Sequence, residues 1–242
     1  SQGIFDISLE PKPIAYFLKS IFVPEEPVVH IGIIDSDDNT VWNDVKVGTQ
    51  RMSDHWNRKA SSSMSLYTYT NADEVELLVN GKSIGTKQNT KNPKNRNKIK
   101  WDNVKYEAGN IEAVAKTGGK VVARHKIETT SEAVTLKAAS DNPEWKADGM
   151  DLQHIRIEAV DKKGRRVKGA SSKVTFTVDG PAELAGVING DITSEELTVG
   201  NTRRLYNGTA TAILRSTGAA GKVTLTATAD GLRPVKLILK TN

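Results

Sequence analysis

The feature that most constrains the fold of this chain is a series of short runs in which apolar and polar residues alternate. Ser65–Gly85, which reads SLYTYTNADEVELLVNGKSIG, is the clearest example. Alternation with a period of two is typical of a half-buried β-strand, and two such runs flank Asn71-Ala72-Asp73. Asn80-Gly81 follows as a type I′ hairpin signal, because both residues tolerate a positive φ. The block therefore predicts two strands and a hairpin turn.

Similar runs continue along the chain and predict two β-sandwiches, because short strands at this spacing are typical of that architecture. The first is expected to have a turn at Asp35–Asn39 and strands at Val28–Ile34, Thr40–Val47, Ser65–Thr70, Val75–Val79, Ser83–Lys87, Lys98–Val104, Asn110–Lys116 and Lys120–Glu128. After a polar linker, strands of the second are expected at Val134–Ala138, His154–Asp161, Lys173–Val178, Glu183–Ile188, Arg203–Ser216, Gly221–Ala229 and Val235–Lys240. The 242 residues suffice for two domains of about 100 residues each.

The first residues differ from the rest and predict one amphipathic helix. Pro11-Lys12-Pro13 can open a helix, since proline is tolerated in the first turn. Apolar residues then recur at helical spacing, and Pro24-Glu25-Glu26-Pro27 ends the pattern; the expected apolar face consists of Ile14, Phe17, Leu18 and Ile21, widened by Phe22. Such a face is too apolar to remain exposed, so the helix is expected to pack against residues 28–130.

Composition excludes several classes of function. The sequence has no cysteine, which excludes disulfides, thiol nucleophiles and cysteine metal sites. It has no run of about 18 apolar residues, so no transmembrane helix and no membrane partner are expected. The formal net charge is +5, and the densest basic cluster lies in KNPKNRNKIK at residues 91–100. No nucleic-acid-binding motif accompanies the cluster, which is therefore interpreted as a polar hairpin loop, and no nucleic-acid partner is expected.

Carboxylates and histidines show no catalytic or metal-binding pattern. Adjacent acidic residues occur in polar turns, where charges face water, at Glu25-Glu26, Asp37-Asp38, Asp73-Glu74 and Glu195-Glu196. The four histidines, His30, His55, His125 and His154, do not have metal-ligand spacing. Asp35–Asn39 superficially resembles a calcium loop, but it lacks the glycine and the terminal glutamate of an EF-hand. The sequence therefore predicts no catalytic residue, no metal site and no cofactor.

Three blocks, in order, resemble the C-terminal region of bacterial glycoside hydrolases of family 2, especially β-galactosidases. The segment GIFDISLEPKPIAYFLKSIF resembles the end of their (β/α)8 barrel, and the matching positions are Gly3, Asp6, Pro11, Lys12, Tyr16, Phe17, Lys19 and Ser20. Ser65–Gly85 resembles the immunoglobulin-like domain that follows the barrel. The phrases WKADGMDLQHIRIEAVDKKGRRV, GPAELAGVINGDITSEE and GTATAILRSTGAAGKVTLTATADGL resemble their bacterial immunoglobulin-like domain, a fold that also occurs in invasin-type adhesins.

The resemblance implies an all-β chain of two immunoglobulin-like β-sandwiches preceded by one short α-helix. Residues 1–25 would be the remnant of the barrel, residues 26–130 the first sandwich and residues 131–242 the second. The catalytic glutamates of the family lie in the barrel, so the chain would be a non-catalytic accessory region of a retaining β-galactosidase. Its expected partners are the missing barrel of the same polypeptide, carbohydrate and a second subunit. The implied location is the periplasm or the outside of a Gram-negative bacterium.

Asp54-His55-Trp56-Asn57-Arg58 is the one candidate for carbohydrate contact. It resembles a His-Trp-Asn-(Trp) segment of the family, although Arg58 replaces the second tryptophan. An aromatic face can stack on a sugar, and His55, Asn57 and Arg58 can hydrogen-bond to hydroxyls. The same residues could instead pack inside the domain. Two other functions remain open: a stand-alone carbohydrate-binding module, which would lose glycan affinity on Trp56→Ala, and an adhesin-like structural spacer.

Overall fold

The computed structural model describes residues 3–37, 41–46, 50–142 and 144–242. The chain forms two compact units. The first contains the residues up to Phe5 together with Pro11–Thr129, and the second contains Asp6–Glu10 together with Thr130–Asn242. Both are built from strands, and one α-helix precedes them, so the predicted all-β fold class is confirmed.

The first unit is a sandwich of two four-stranded antiparallel sheets. Its elements are α1 (Pro13–Phe22), β1 (Val29–Asp37), β2 (Val41–Trp42), β3 (Val45–Lys46), β4 (Gln50–Ser53), β5 (Ser63–Thr70), β6 (Glu74–Val79), β7 (Lys82–Gln88), β8 (Lys98–Lys105), β9 (Asn110–Thr117) and β10 (Lys120–Glu128). One sheet has the order β4-β1-β5-β8 and the other β10-β9-β6-β7, while β2 and β3 pair separately. The core between the sheets contains Ile31, Ile33, Leu66, Leu77 and Ile111.

Turn chemistry explains the hairpins of this unit. Asn80 and Gly81 have φ values of 51° and 78°, as the predicted type I′ turn between β6 and β7 requires. The turn expected at Asp35–Asn39 is wrong, because β1 continues to Asp37; Asp38 and Asn39 lie outside the described residues. A shift in register between Ile34 and Ser36 lets this end of β1 pair with β4, a strand that the sequence pattern did not predict.

Helix α1 begins as expected and packs on β1 and β5, which confirms the predicted contact with residues 28–130. The predicted packing face is confirmed only in part. Phe17, Leu18 and Ile21 are half-buried, and Phe17 contacts Tyr69 of β5. Ile14 and the widening Phe22 remain exposed, whereas the fully buried helix residues are Pro13 and Ser20. The Ser20 hydroxyl donates to the Phe17 carbonyl over 2.6 Å, so a buried serine loses no hydrogen bond.

The second unit is one continuous eight-stranded sheet that folds over a single core. Its strands are β11 (Thr135–Ser140), β12 (Leu152–Val160), β13 (Lys173–Asp179), β14 (Ala182–Ile188), β15 (Thr202–Arg204), β16 (Thr209–Ser216), β17 (Gly221–Ala229) and β18 (Leu232–Thr241). Their order is β14-β16-β12-β11-β18-β17-β13-β15, and only β11 and β18 pair in parallel. The strand expected at Arg203–Ser216 is divided in two, because Asn207 and Gly208 turn with positive φ.

Apolar residues from both halves of this sheet meet in the core, among them Ile155, Phe176, Leu214 and Leu225. Trp145 is also buried there, as Trp101 is in the first core. The side chain of Trp42 is not among those that the structure describes. In the described part of the chain, no helix is long and apolar enough to cross a bilayer.

Candidate functional site

The segment singled out for carbohydrate contact, residues 54–58, lies between β4 and β5 of the first unit. Its tryptophan points into the core: Trp56 is 0% exposed and belongs to the same apolar cluster as Ile31 and Leu66. The indole Nε1 donates to the carbonyl oxygen of Glu107 over 3.2 Å. The ring lies edge-on to Tyr106, with the two centroids 5.3 Å apart.

This burial corrects the prediction that Trp56 offers a face to a sugar. Stacking needs an accessible ring face, and this ring has none. Its single polar atom is also occupied, which is typical of an indole used to fill a core. The alternative that the sequence left open, packing inside the domain, is therefore the role that Trp56 has.

Arg58 holds this segment in place through an ion pair and two hydrogen bonds. Its Nη1 atom lies 2.6 Å from an Asp35 carboxylate oxygen, and its Nη2 donates to the Ser53 hydroxyl over 2.9 Å. Its Nε donates to the His55 carbonyl over 3.0 Å, which closes the turn around Trp56. The side chains of His55 and Asn57 are half-buried and also have partners. The structure thus brings Arg58 to Asp35, a pairing that sequence spacing gave no means to foresee.

The acidic pairs support turns and strand edges. Glu26 is exposed and pairs with Lys19 at 2.6 Å, and Asp73 accepts the backbone N–H of Gly118. Glu196 accepts the backbone N–H of Arg204, whereas Asp37-Asp38 falls partly outside the described residues. In the part of the chain that the structure describes, no three His, Asp or Glu side chains are grouped so as to hold a metal ion.

Two histidines form a stack in the first unit that sequence spacing did not predict. The ring of His30 lies between those of Tyr16 and His125, at centroid distances of 3.7 Å and 4.0 Å. His125 Nδ1 accepts the backbone N–H of Ile31 over 3.0 Å. The stack joins α1, β1 and β10, so these histidines have structural roles. His154 lies apart on β12, 3.3 Å from Asp141.

Comparison with known proteins places these elements in a family. Residues 136–238 match the family described as glycoside hydrolase family 2 C-terminal domain 5, and residues 61–123 match a domain family of unknown function. A β-galactosidase of Bacteroides ovatus is 34% identical over 97% of this chain. The chain belongs to the C-terminal region of family 2 glycoside hydrolases.

Two further comparisons agree with this family 2 assignment. A β-glucuronidase of Formosa agariphila is 33% identical over 99% of the chain. A crystal structure of a family 2 member from Bacteroides cellulosilyticus superimposes with a TM-score of 0.90 at 29% identity, over 99% of this chain and 31% of that one. The chain spans 25% of the length of the B. ovatus relative and 22% of that from F. agariphila.

The family 2 segment contains a fully buried carboxylate that sequence reasoning missed. Asp161, at the end of β12, accepts hydrogen bonds from Nε and Nη2 of Arg165 at 3.0 Å and 2.6 Å. The backbone N–H groups of Ser131, Lys163 and Arg165 donate to it as well. Burial acts to raise the pKa of Asp161, but these five donors outweigh it and hold the pKa well below the ordinary value. The carboxylate therefore stays charged and organises its turn.

Two other charged groups of the second unit, one half-buried and one buried, are structural. Glu10 lies 2.5 Å from Nη1 of Arg156 and 3.2 Å from Nη1 of Arg166. Arg203 is buried and donates to the Asn189 side-chain oxygen and to the Glu196 carbonyl. The sequence pattern predicted for Arg203 only the start of a strand.

Proposed function

We propose that this chain is the non-catalytic accessory region of a family 2 β-galactosidase, an enzyme that hydrolyses terminal β-galactosides. The observation that carries the proposal is the 34% identity to the B. ovatus β-galactosidase, over nearly the whole chain but only a quarter of that relative. The remaining length of such an enzyme would contain the catalytic barrel, in the same polypeptide as this chain.

The side chains of this segment support a role without catalysis. A retaining glycosidase needs two carboxyl groups about 5 Å apart across a sugar cleft, one of them with a raised pKa. The buried carboxylate of Asp161 has the opposite property, because its donors lower its pKa. The paired acids in the described turns bind backbone N–H groups or lysine. We therefore assign the double displacement to the barrel.

Exposed apolar side chains near the first residues support a scaffolding role. In the first unit Phe22 is 77% exposed, and Phe5 is also exposed; in the second unit Leu9 is 71% exposed and Ile7 more than half. Exposed side chains as large and apolar as these are ones that a covering domain would remove from water. In our proposal residues 1–25 are the last part of the barrel, and the barrel covers these side chains.

Sugar contact at residues 54–58 is a smaller part of the proposal. With Trp56 in the core, the contact would consist of hydrogen bonds from His55, Asn57 and Arg58, which are half-buried and keep some exposed surface. Substrate or a second subunit could meet this surface at the entrance of the barrel. A stand-alone carbohydrate-binding module would need an exposed aromatic face here, and Trp56 does not supply one.

The proposal extends to assembly and location. Family 2 relatives from Bacteroides and Formosa support a bacterial glycosidase, for which we propose a periplasmic or secreted location and a homodimer. Light scattering of the full-length protein would test the dimer. Cell fractionation of the source bacterium would test the location.

The decisive experiment compares this chain with the full-length product of its gene on a chromogenic β-galactoside. We expect activity in the full-length protein and none in this chain. Activity in this chain alone would overturn the accessory role. The same pair is assayed on a chromogenic β-glucuronide, since one relative is a β-glucuronidase. Full-length activity on the glucuronide alone would keep the accessory role and overturn the galactosidase assignment.

A further inference from the structure

Positive charge is concentrated along one edge of the first unit. Between residues 82 and 105 the sequence has a single carboxylate, Asp102, against eight cations: Lys82, Lys87, Lys91, Lys94, Arg96, Lys98, Lys100 and Lys105. The formal charge of the whole chain is only +5, so the other residues together are net negative. All eight side chains except Lys98 are exposed. We call these eight residues the basic edge.

The topology explains why the cations lie together. β7 and β8 are the edge strands of the two opposing sheets, and residues 89–97 connect them. A groove of about 430 Å³ lies between the two strands, and Ile84 supplies its exposed apolar surface. The charged residues of its lining are Lys82, Lys87, Lys105, Asp102 and Glu107. The Lys87 Nζ atom lies 4.8 Å from the centroid of the Trp101 ring.

The connecting loop is held in place by asparagine side chains. Asn89 donates to the carbonyl oxygens of Thr70 and Ala72, and its own side-chain oxygen accepts the backbone N–H of Asn97. The Asn92 side chain accepts the backbone N–H of Lys94, which fixes the turn at the tip. The loop cations Lys91, Lys94 and Arg96 therefore project from an ordered scaffold.

Most of this charge is not neutralised within the chain. Among the described residues, Lys100 is the one member of the basic edge that forms an ion pair, with Asp102 at 2.9 Å. The other seven cations have no carboxylate partner among the described residues, although Lys87 Nζ donates to the Lys100 carbonyl over 2.7 Å. When these cations bind a polyanion, the counter-ions condensed along the polyanion are released, which makes such binding strong at low salt and weak at high salt.

The geometry points to a polyuronate, a polysaccharide with one carboxylate on each sugar, as the ligand of the basic edge. This inference rests on the proposed function, because a segment of a glycoside hydrolase meets carbohydrate polymers. Nucleic acid fits less well, since single-stranded binding relies on aromatic faces for base stacking. Trp101 is only 4% exposed, and its indole N–H is bound to the Thr68 hydroxyl.

The test is affinity electrophoresis of the 242-residue chain in gels that contain polygalacturonate, at about 50 mM salt. The edge variant combines Lys82→Gln, Lys94→Gln and Lys105→Gln. The matched control combines Lys222→Gln, Lys236→Gln and Lys240→Gln, three exposed lysines of β17 and β18 without ion pairs among the described residues. We expect the edge variant to bind about tenfold more weakly, and the control to bind like the unmodified chain.

Four results would overturn the inference. They are no retardation of the unmodified chain, an equal loss in the control variant, equal retardation by uncharged dextran, and tighter binding to single-stranded DNA at the same concentration of anionic groups. Retardation in the gel measures binding and does not depend on hydrolysis. A failure of this inference can therefore be told apart from a failure of the proposed function. A full-length protein inactive on β-galactosides would overturn the galactosidase assignment and leave the retardation unchanged.

Discussion

Asp161 is the residue for which the structure predicts the clearest dependence of stability on pH. Its donors hold the folded-state pKa below the ordinary value of 3.8, so the carboxylate stabilises the fold above about pH 4. That contribution is lost as the pH falls from there through the folded-state pKa. We expect Asp161→Asn to lower the free energy of unfolding by about 3 kcal/mol at neutral pH, because a buried ion pair loses one partner.

Urea unfolding at pH 7 and pH 2.5 tests this prediction. The difference between Asp161→Asn and the unmodified chain should narrow at the acidic pH, because below about pH 4 the unfolded chain binds a proton at Asp161 while the folded carboxylate stays ionised. Asp230→Asn, in an exposed turn, serves as the control and should change stability by less than about 0.5 kcal/mol. A constant difference at both pH values would contradict the assignment of the stabilisation to the charge of Asp161.

A tryptophan such as Trp56 can either stack on a sugar at the surface or fill a hydrophobic core. We expect Trp56→Ala to cost about 4 kcal/mol, because it leaves a cavity in the core. Trp56→Phe fills most of that space and should cost less, although it leaves the Glu107 carbonyl without its donor. Denaturant unfolding measures both costs. Unchanged stability of the alanine variant would mean that the ring is exposed, as the sugar-stacking interpretation requires.

The packing of α1 depends on a glycine of β1. A Cβ atom at Gly32 would lie 2.9 Å from Pro13 Cβ and 3.3 Å from both Met52 Sδ and Tyr69 Cε2. We expect Gly32→Ala to push the helix from the sheet and to cost about 2 kcal/mol. Gly169→Ala is the matched control, because no atom lies within 4 Å of its added Cβ. Amide exchange of residues 13–22 should accelerate in the first variant alone; equal exchange in both would contradict this account.

The same elements show what the sequence can predict. The Asn80-Gly81 hairpin was predicted correctly, because the requirement for positive φ is local to two residues. Strand β4 was missed, since Gln50-Arg51-Met52-Ser53 has no alternating pattern and pairs through an irregularity in β1. The helix face was predicted only in part, because the stacking of Tyr16 on His30 is a contact with a distant strand that helical spacing does not reveal. The burial of Trp56 could not be predicted either, because it depends on contacts with residues distant in sequence, such as Glu107.

At the scale of the whole molecule, the path of the chain departs from a linear series of domains. Asp6–Glu10 belongs to the second unit, although the residues on either side belong to the first. The predicted boundaries assign residues 1–25 to a single segment, whereas the structure divides these residues between the two units. The second unit therefore includes a short segment that is distant from it in sequence, and Glu10 supplies the principal charge contacts of that segment.

Glu10→Gln tests whether this segment stabilises the second unit. The substitution leaves the half-buried Arg166 with Glu158, at 3.6 Å, as its remaining carboxylate, so we expect a loss of about 2 kcal/mol. Amide exchange read by mass spectrometry should accelerate in β12 and β16, while β5 and β9 of the first unit keep their protection. The control is Glu183→Gln, which breaks the exposed pair with Arg215 and should cost less than about 1 kcal/mol. Unchanged exchange in β12 would show that Asp6–Glu10 contributes nothing to the second unit.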